Sequence, residues 1–432
     1  MKVYIKEFGP IRNAEVSLAP MTIFTGDSNL GKSYVNYLMY YLVRSLTVEA
    51  LRDFFANKIK NKKGELNLTL DSLQNWMNGQ AEKFMRNFLN APELVCDVKF
   101  YLLEEKKNET YHIRYKEHEN NNPEELPNNF LKNRKSIEIE INDKKYETLF
   151  PAMGDIMPVA LAIYFSGYIQ EILFNKVIEQ AFILPPARGA FVGENYTLKE
   201  NISSSVGMYR YFLRDYDIAT QRQIKRSKYE KQIEQLVKGK LITKEGKQLL
   251  IMKNGNMLPL SAAASSIKEL SPFLYTIQAS SGMKQSFCIE EPEAHLHPEM
   301  QIAVMDLLAC CFSDGMQFQF TTHSDYIMQR VNQMIKLEYI RKKNSVEFKR
   351  ICEQYRLSEH HCIKREDVKV YYFKADENGN VEIVDLVITE QGFPMVTFFN
   401  VVQAMSDIED NLNNVIAEIG DYYYENQYNQ DV

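Results

Sequence analysis

The sequence predicts an α/β fold that carries a β-rich lobe and a helical insertion, and three stretches predict it. Met21-Thr22-Ile23-Phe24 is an apolar run of strand length, followed by two glycines and then by Val35, Leu38, Leu42 and Leu46 at helical spacing. Ile137, Ile139 and Ile141 alternate with Glu138, Glu140 and Asn142, the period of a strand with one wet face. Tyr209 to Val237 is strongly charged and reads as helix.

Along the chain, Val3 to Thr47 reads as strand, turn, strand, loop and helix. A helix from Trp76 to Leu89 comes next, then Val98 to Leu103 and Tyr111 to Tyr115, both expected as neighbours of the Ile137 strand. Asn120 to Asn129 is a loop by composition. A helical stretch from Met153 to Ala181 leads into Phe182-Ile183-Leu184-Pro185-Pro186-Ala187-Arg188-Gly189, and Leu241 to Leu250 forms a hairpin. Val368 to Phe373 and Val381 to Ile388 read as strands turned by Asp376-Glu377-Asn378-Gly379, with a closing helix from Phe398 to Gly420 and a fraying tail at Tyr422-Tyr423-Tyr424.

At 432 residues the chain can bury a large core, and its length predicts two or three structural units. The hydrophobic share of 45% and charged share of 25% exclude a disordered or fibrous protein. No apolar run reaches the roughly 18 residues of a membrane span, so the chain reads as cytoplasmic, without a membrane partner. Six cysteines without paired spacing suit reduced thiols; Cys352, His360, His361 and Cys362 lack the usual half-site geometry for zinc and read as a plain surface segment. A net charge of −6 argues against a protein that coats nucleic acid. The basic runs at Lys58 to Lys63, Arg222 to Lys228 and Arg341 to Lys343 read as solvated faces, which leaves DNA open as a partner without supporting it.

Two segments carry the chemistry. Gly26-Asp27-Ser28-Asn29-Leu30-Gly31-Lys32-Ser33 matches the phosphate-binding loop in full and stands between a strand and a helix, as such a loop must. Its glycines let successive N–H groups face the phosphates, Lys32 reaches the β- and γ-phosphates, and the Ser33 hydroxyl ligates Mg²⁺. Phe287-Cys288-Ile289-Glu290-Glu291-Pro292-Glu293 supplies an acidic strand end, which holds carboxylates at fixed distance from phosphate and metal. The bland reading of Glu290 and Glu291 is an exposed helix start before Pro292. Beside an intact phosphate loop, ATP binding and hydrolysis with Mg²⁺ is the stronger one.

Ile289-Glu290-Glu291-Pro292-Glu293-Ala294-His295-Leu296-His297-Pro298, followed by Phe320-Thr321-Thr322-His323-Ser324, resembles the overcoming-lysogenisation-defect (OLD-like) and related ABC-type ATPases, which share a fold with structural-maintenance-of-chromosomes (SMC) and RecF heads. The resemblance covers roughly Met1 to Thr47 and Leu184 to Gln333. It implies an ABC-type P-loop ATPase head with a mixed central sheet, in which Glu290 holds Mg²⁺ through water, Glu291 positions or deprotonates the attacking water, and His323 contacts the γ-phosphate. His295-Leu296-His297 would occupy the loop that crosses to a second protomer. Ser265 and Ser266 stand where the family places its signature motif, with Ile267 in place of the familiar glycine; there the alternative is a small-residue helix start packed in the core. Arg188 also resembles a family feature, and Phe8 is a candidate for stacking on adenine.

The resulting division is 1–60 for the first part of the ATPase core, 61–180 for a β-rich and helical lobe, and 181–257 for the arginine-containing strand, helical insertion and hairpin. Residues 258–335 form the second part of the core, and 336–432 the strands and helix that complete it. Too few residues follow His323 for the nuclease domain often fused to OLD-like ATPases. The resemblance therefore implies a homodimer or higher homo-oligomer with ATP at its interface, acting on a separate toxin or nuclease, as in the ATPase halves of PARIS-, Septu- and abortive-infection-type pairs. A RecF-like DNA clamp is the alternative.

Overall fold

The computed structural model describes residues 1–59, 64–119, 134–151, 155–192, 206–221, 227–279 and 282–419. The chain divides into two units, Met1–Gly392 and Phe393–Val432. In the first, β1 (Lys2–Phe8), β2 (Ile11–Ser17) and β3 (Met21–Gly26) lead into α1 (Lys32–Arg44) and α2 (Val48–Lys58). Next come β4 (Glu65–Thr69), α3 (Leu70–Phe88), β5 (Cys96–Tyr101), β6 (Thr110–Glu119), β7 (Arg134–Ile141), β8 (Lys144–Pro151) and α4 (Met157–Phe174). The chain continues through β9 (Gln180–Leu184), α5 (Met208–Gln221), α6 (Glu230–Val237), β10 (Gly239–Lys244), β11 (Lys247–Met252), β12 (Met257–Pro259) and α7 (Ser265–Ala279). It ends with β13 (Gln285–Glu290), α8 (Pro298–Ser313), β14 (Gln317–Thr321), α9 (Asp325–Lys343), α10 (Ser345–Tyr355), β15 (Val368–Ala375) and β16 (Val381–Asp385).

A nine-stranded sheet in the order β5-β1-β2-β16-β15-β3-β14-β13-β9 forms the centre. From β15 to β9 its strands run parallel, whereas β1 pairs antiparallel with both β2 and β5, so the sheet is mixed as expected. Every residue of β13 and β14 is buried, which is what parallel strands covered on both faces require. Helix α1 is buried continuously from Val35 to Val43 rather than along one stripe. Because β3, β14 and β13 are adjacent and parallel, their carboxyl ends open on one side of the sheet, where α/β proteins bind ligands.

The β-rich lobe is a four-stranded sheet in the order β4-β6-β7-β8, with Ile137, Ile139 and Ile141 buried and Glu138 exposed. The Tyr111 strand is β6 and joins it, but the Val98 strand does not. As β5 it pairs with β1, matching Val98 to Ile5 and Phe100 to Val3. Alternation told which face of β5 is apolar, not which sheet would bury it.

Helix α4 departs from the expectation that no segment is long and apolar enough to span a membrane: its 18 residues meet that length and composition. Ala160, Leu161, Phe165 and Ile169 are buried, and Phe165 meets Phe55 of α2 with ring centroids 5.4 Å apart. The charged run expected as one helix is two, α5 and α6, with residues 222–226 outside the described set. The predicted hairpin is β10–β11, turned by Glu245 and Gly246 with φ of 52° and 77°, the signs of a type I′ turn.

β15 and β16 complete the sheet as expected, and Asp376 caps their turn by accepting from the N–H groups of Asn378 and Asn380. The expected closing helix is α11 (Val396–Ile419), which falls in the second unit. Its Val401, Met405, Ile408 and Leu412 are exposed. The Asn120–Asn129 loop and the Tyr422–Tyr424 tail lie outside the described residues.

Candidate functional site

The phosphate loop is built by backbone contacts that only glycine permits. Gly26 has φ of 116°, and a Cβ there would stand 2.1 Å from the Phe373 carbonyl oxygen of β15. The Asp27 N–H donates to that same oxygen at 3.0 Å, so β15 pins the loop's entry. Gly31, at φ 87°, is the N-cap of α1 with no side-chain cap, and no acidic residue stands in the first turn. The first N–H groups of the helix and the positive end of its dipole therefore remain available to an anion. Lys32 is 6% exposed and folds back, its Nζ donating to the carbonyls of Asp27 at 2.6 Å and Gly26 at 3.1 Å. Burial lowers its pKa, against the pull of Glu291, Asp27 and Glu290.

Glu290, the last residue of β13, is fully enclosed by donors. The Ser33 hydroxyl donates to its Oε2 at 2.5 Å, the Thr321 hydroxyl to the same oxygen at 3.0 Å, and the Asn36 amide to Oε1 at 2.8 Å. Burial raises the Glu290 carboxyl to about 6, and the three hydrogen bonds hold it from going higher. Glutamate in place of the commoner aspartate is accommodated by Asn36, whose amide also reaches the Ile289 carbonyl at 3.3 Å. A hydroxyl and a carboxylate in contact are hard oxygen donors, the set that fits Mg²⁺.

Glu291 is exposed at the mouth, with φ of 45° in a region non-glycine residues seldom occupy. His323 follows the end of β14 and is also exposed. Its N–H donates to Glu293 Oε1 at 2.7 Å, and the Thr322 hydroxyl donates to that same oxygen at 2.8 Å. Partial burial, then the neighbouring Lys32 ammonium, lower the His323 pKa, which favours the neutral imidazole.

A protein-family model described as an AAA ATPase domain matches residues 1–328. This chain belongs to that AAA ATPase family. Its activity is therefore ATP hydrolysis. Among curated proteins no sequence matches. Solved SMC head domains resemble it in outline. The head bound to the C-terminal winged-helix domain of ScpA is 12% identical, covering 90% of this chain and 98% of that one at a TM-score of 0.37. The head from Thermotoga maritima is 11% identical over 90% and 98%, at 0.33. The head with an extended coiled coil, bound to the C-terminal domain of ScpA derived from Pyrococcus furiosus, is 11% identical over 95% and 98%, at 0.37.

In this AAA ATPase domain, the loop from Gly26 through Asp27, Ser28, Asn29 and Leu30 leads to Ser33, whose hydroxyl meets Glu290, and Glu291 and His323 follow the ends of the adjacent strands β13 and β14. Ser265 and Ser266 open α7 and are not packed in the core: Ser265 is exposed, Ser266 half-buried, and among the described residues neither hydroxyl bonds to the phosphate loop. Phe8 is unsuited to stack on adenine, because it is fully buried with its ring edge-on to Tyr34 at 5.1 Å. The sequence reading missed Asn36, Thr321 and Glu293. Asn36 was detectable, since three residues beyond Ser33 is the same helix face. Thr321 and Glu293 bond across strands and loops, which no local pattern announces. His360 and His361 bond to Ser313 and Ser358, and among the described residues no three metal-ligating side chains cluster.

Proposed function

We propose that this ATPase is a nucleotide-driven switch of bacterial antiphage defence, closing on ATP between two copies and controlling a separate toxin or nuclease. The observation that carries the two-copy reading is the division of the site. The phosphate loop, Glu290, Glu291 and His323 converge at one set of strand ends, while Ser265 and Ser266 present an open helix start elsewhere. A signature helix that serves the phosphates of a second copy has to be exposed in this way.

In this reading the loop N–H groups and Lys32 hold the phosphates once Lys32 leaves its own carbonyls, and Ser33 and Glu290 hold Mg²⁺, which neutralises charge on the transferred phosphoryl group. Glu291 orients the attacking water, and neutral His323 donates toward the γ-phosphate. The defence role rests on the resemblance of the Glu290–Pro298 and Phe320–Ser324 segments to OLD-like ATPases. For a partner, α11 offers exposed Val401, Met405, Ile408, Leu412 and Val415 at alternating four- and three-residue spacing, the pattern of a helix-packing seam. Asp407, Glu409 and Asp410 accompany it, and the helix sequence has no Lys or Arg, so the matching surface is an apolar helix face flanked by basic residues.

The test is the mass of the full chain with and without ATP, for wild type and Glu291→Gln, after co-expression with its genomic neighbour. A complex that sheds the neighbour on turnover, and keeps it in Glu291→Gln, supports the switch. An ATP-dependent dimer that ignores the neighbour and captures DNA in a salt-sensitive way would replace it with the clamp.

A further inference from the structure

Among the described residues Arg188 is one of the largest fully buried side chains, at 1% exposure, and it touches no phosphate-loop residue among its described contacts. It spans two elements. On one side its guanidinium donates to the carbonyls of Glu290 at 2.7 Å, Glu291 at 3.4 Å and Pro185 at 3.2 Å. On the other its Nε donates to the Glu269 carbonyl at 3.0 Å, and Nη1 lies 3.6 Å from the Glu269 carboxylate. Glu269 is in the second turn of α7, four residues after Ser265.

The surrounding sequence is shaped for this bridge. Ala187 takes φ of 53°, an uncommon value for a residue with a side chain. A Cβ on Gly189 would stand 2.6 Å from Glu269 Oε2 and 3.0 Å from the Glu269 backbone nitrogen, so glycine suits this close approach to α7, where the Gly189 N–H donates to that carboxylate oxygen at 2.8 Å. Downstream, Pro272 interrupts α7 and cannot bond to the Lys268 carbonyl, which accepts from the Ser271 hydroxyl at 3.1 Å instead. The opening turns are thus gripped by Arg188 and partly released from the rest of their own helix.

We propose that Arg188 is a positioning residue that transmits the state of the Glu290–Glu291 strand end to the opening turns of the signature helix. Through it, occupancy of one nucleotide site sets the helix that serves the other, and the two sites of a closed pair act cooperatively. This rests on the two-copy reading above. Movement of the two carbonyls when nucleotide and Mg²⁺ settle against Glu290 and Glu291 drags the guanidinium, and the ion pair and Nε bond pull Glu269 with it. Arginine suits the role because one rigid fork holds both sides at once, which a lysine cannot.

The experiment measures hydrolysis against ATP concentration, equilibrium binding of a fluorescent ATP analogue, and mass with ATP, for the full chain, Glu269→Gln and Arg188→Lys. Glu269→Gln retains an oxygen for the Gly189 N–H and removes the charge; a thermal unfolding midpoint checks that it folds, and Arg188→Lys tests the same bridge from its other end. Wild type is expected to show a Hill coefficient approaching about 2, the number of sites, and the variants about 1. Analogue affinity should stay within ~2-fold while turnover falls ~10-fold, a split that marks loss of an interaction outside ground-state binding. A folded variant with wild-type cooperativity overturns the relay and leaves the two-copy reading standing. A wild type that stays monomeric and non-cooperative with ATP overturns both.

Discussion

Replacing Glu290 by Gln should stabilise the nucleotide-free protein while abolishing its catalysis. The Glu290 carboxyl is raised from 4.5 to about 6, first by burial, with Ser33, Asn36 and Thr321 offsetting part of that cost. A rise of that size corresponds to ~2 kcal/mol of differential stability. The sign follows from which state holds the proton. With the folded pKa above the unfolded one, the contribution is full below pH 4.5 and is lost as pH rises through about 6. Wild type at pH 8 therefore carries the whole penalty, and at pH 4 none of it. Glutamine cannot ionise, and the buried Asn36 Oδ1, which lacks a hydrogen-bond partner, can accept from its amide if Asn36 turns over. Urea denaturation of both proteins with chelator present, from pH 4 to 8, should give curves that coincide at the acid end and separate to ~2 kcal/mol above pH 6, with the variant more stable. A gap that is independent of pH, or a variant less stable at pH 8, would refute the reasoning.

Three further outcomes follow from the same geometry. Glu291→Gln should lower turnover by ~10²- to 10⁴-fold with ATP binding retained, read by single-turnover hydrolysis beside a binding titration. Glu293→Ala should cost ~10²-fold in kcat with little change in nucleotide affinity, because it frees the backbone of His323, whereas Glu293→Gln, which keeps an accepting oxygen, should retain most activity. Gly26→Ala should abolish nucleotide binding, since its Cβ would stand 2.1 Å from the Phe373 oxygen; calorimetric titration with ATP would show it.

Much of the candidate nucleotide site was legible in the sequence because the chemistry it would perform is local. Loop glycines, Lys32 and Ser33 must follow one another to wrap a phosphate, so spacing singled them out as candidates, while the roles expected of Glu290, Glu291 and His323 came from the resemblance to OLD-like ATPases. Thr321 and Glu293 escaped because each acts on a residue far away in the chain, Thr321 donating to a carboxylate 31 positions back; Asn36 stands one helical turn beyond Ser33, but the carboxylate it serves lies 254 positions on. Phe8 was misplaced because a buried aromatic and a base-stacking one look alike in sequence.

What the sequence determined by itself was the class of element at most positions and which candidate residues stand at the strand ends, since periodicity and motif spacing are properties of neighbouring residues. Tertiary structure decided where those elements went. It placed β5 in the central sheet rather than the lobe, buried α1 all round, and stood Arg188 between Glu290 and Glu269. Each of those outcomes depends on which distant surface competes best to cover an apolar face or satisfy a buried polar group. That competition is settled only when the whole chain has folded.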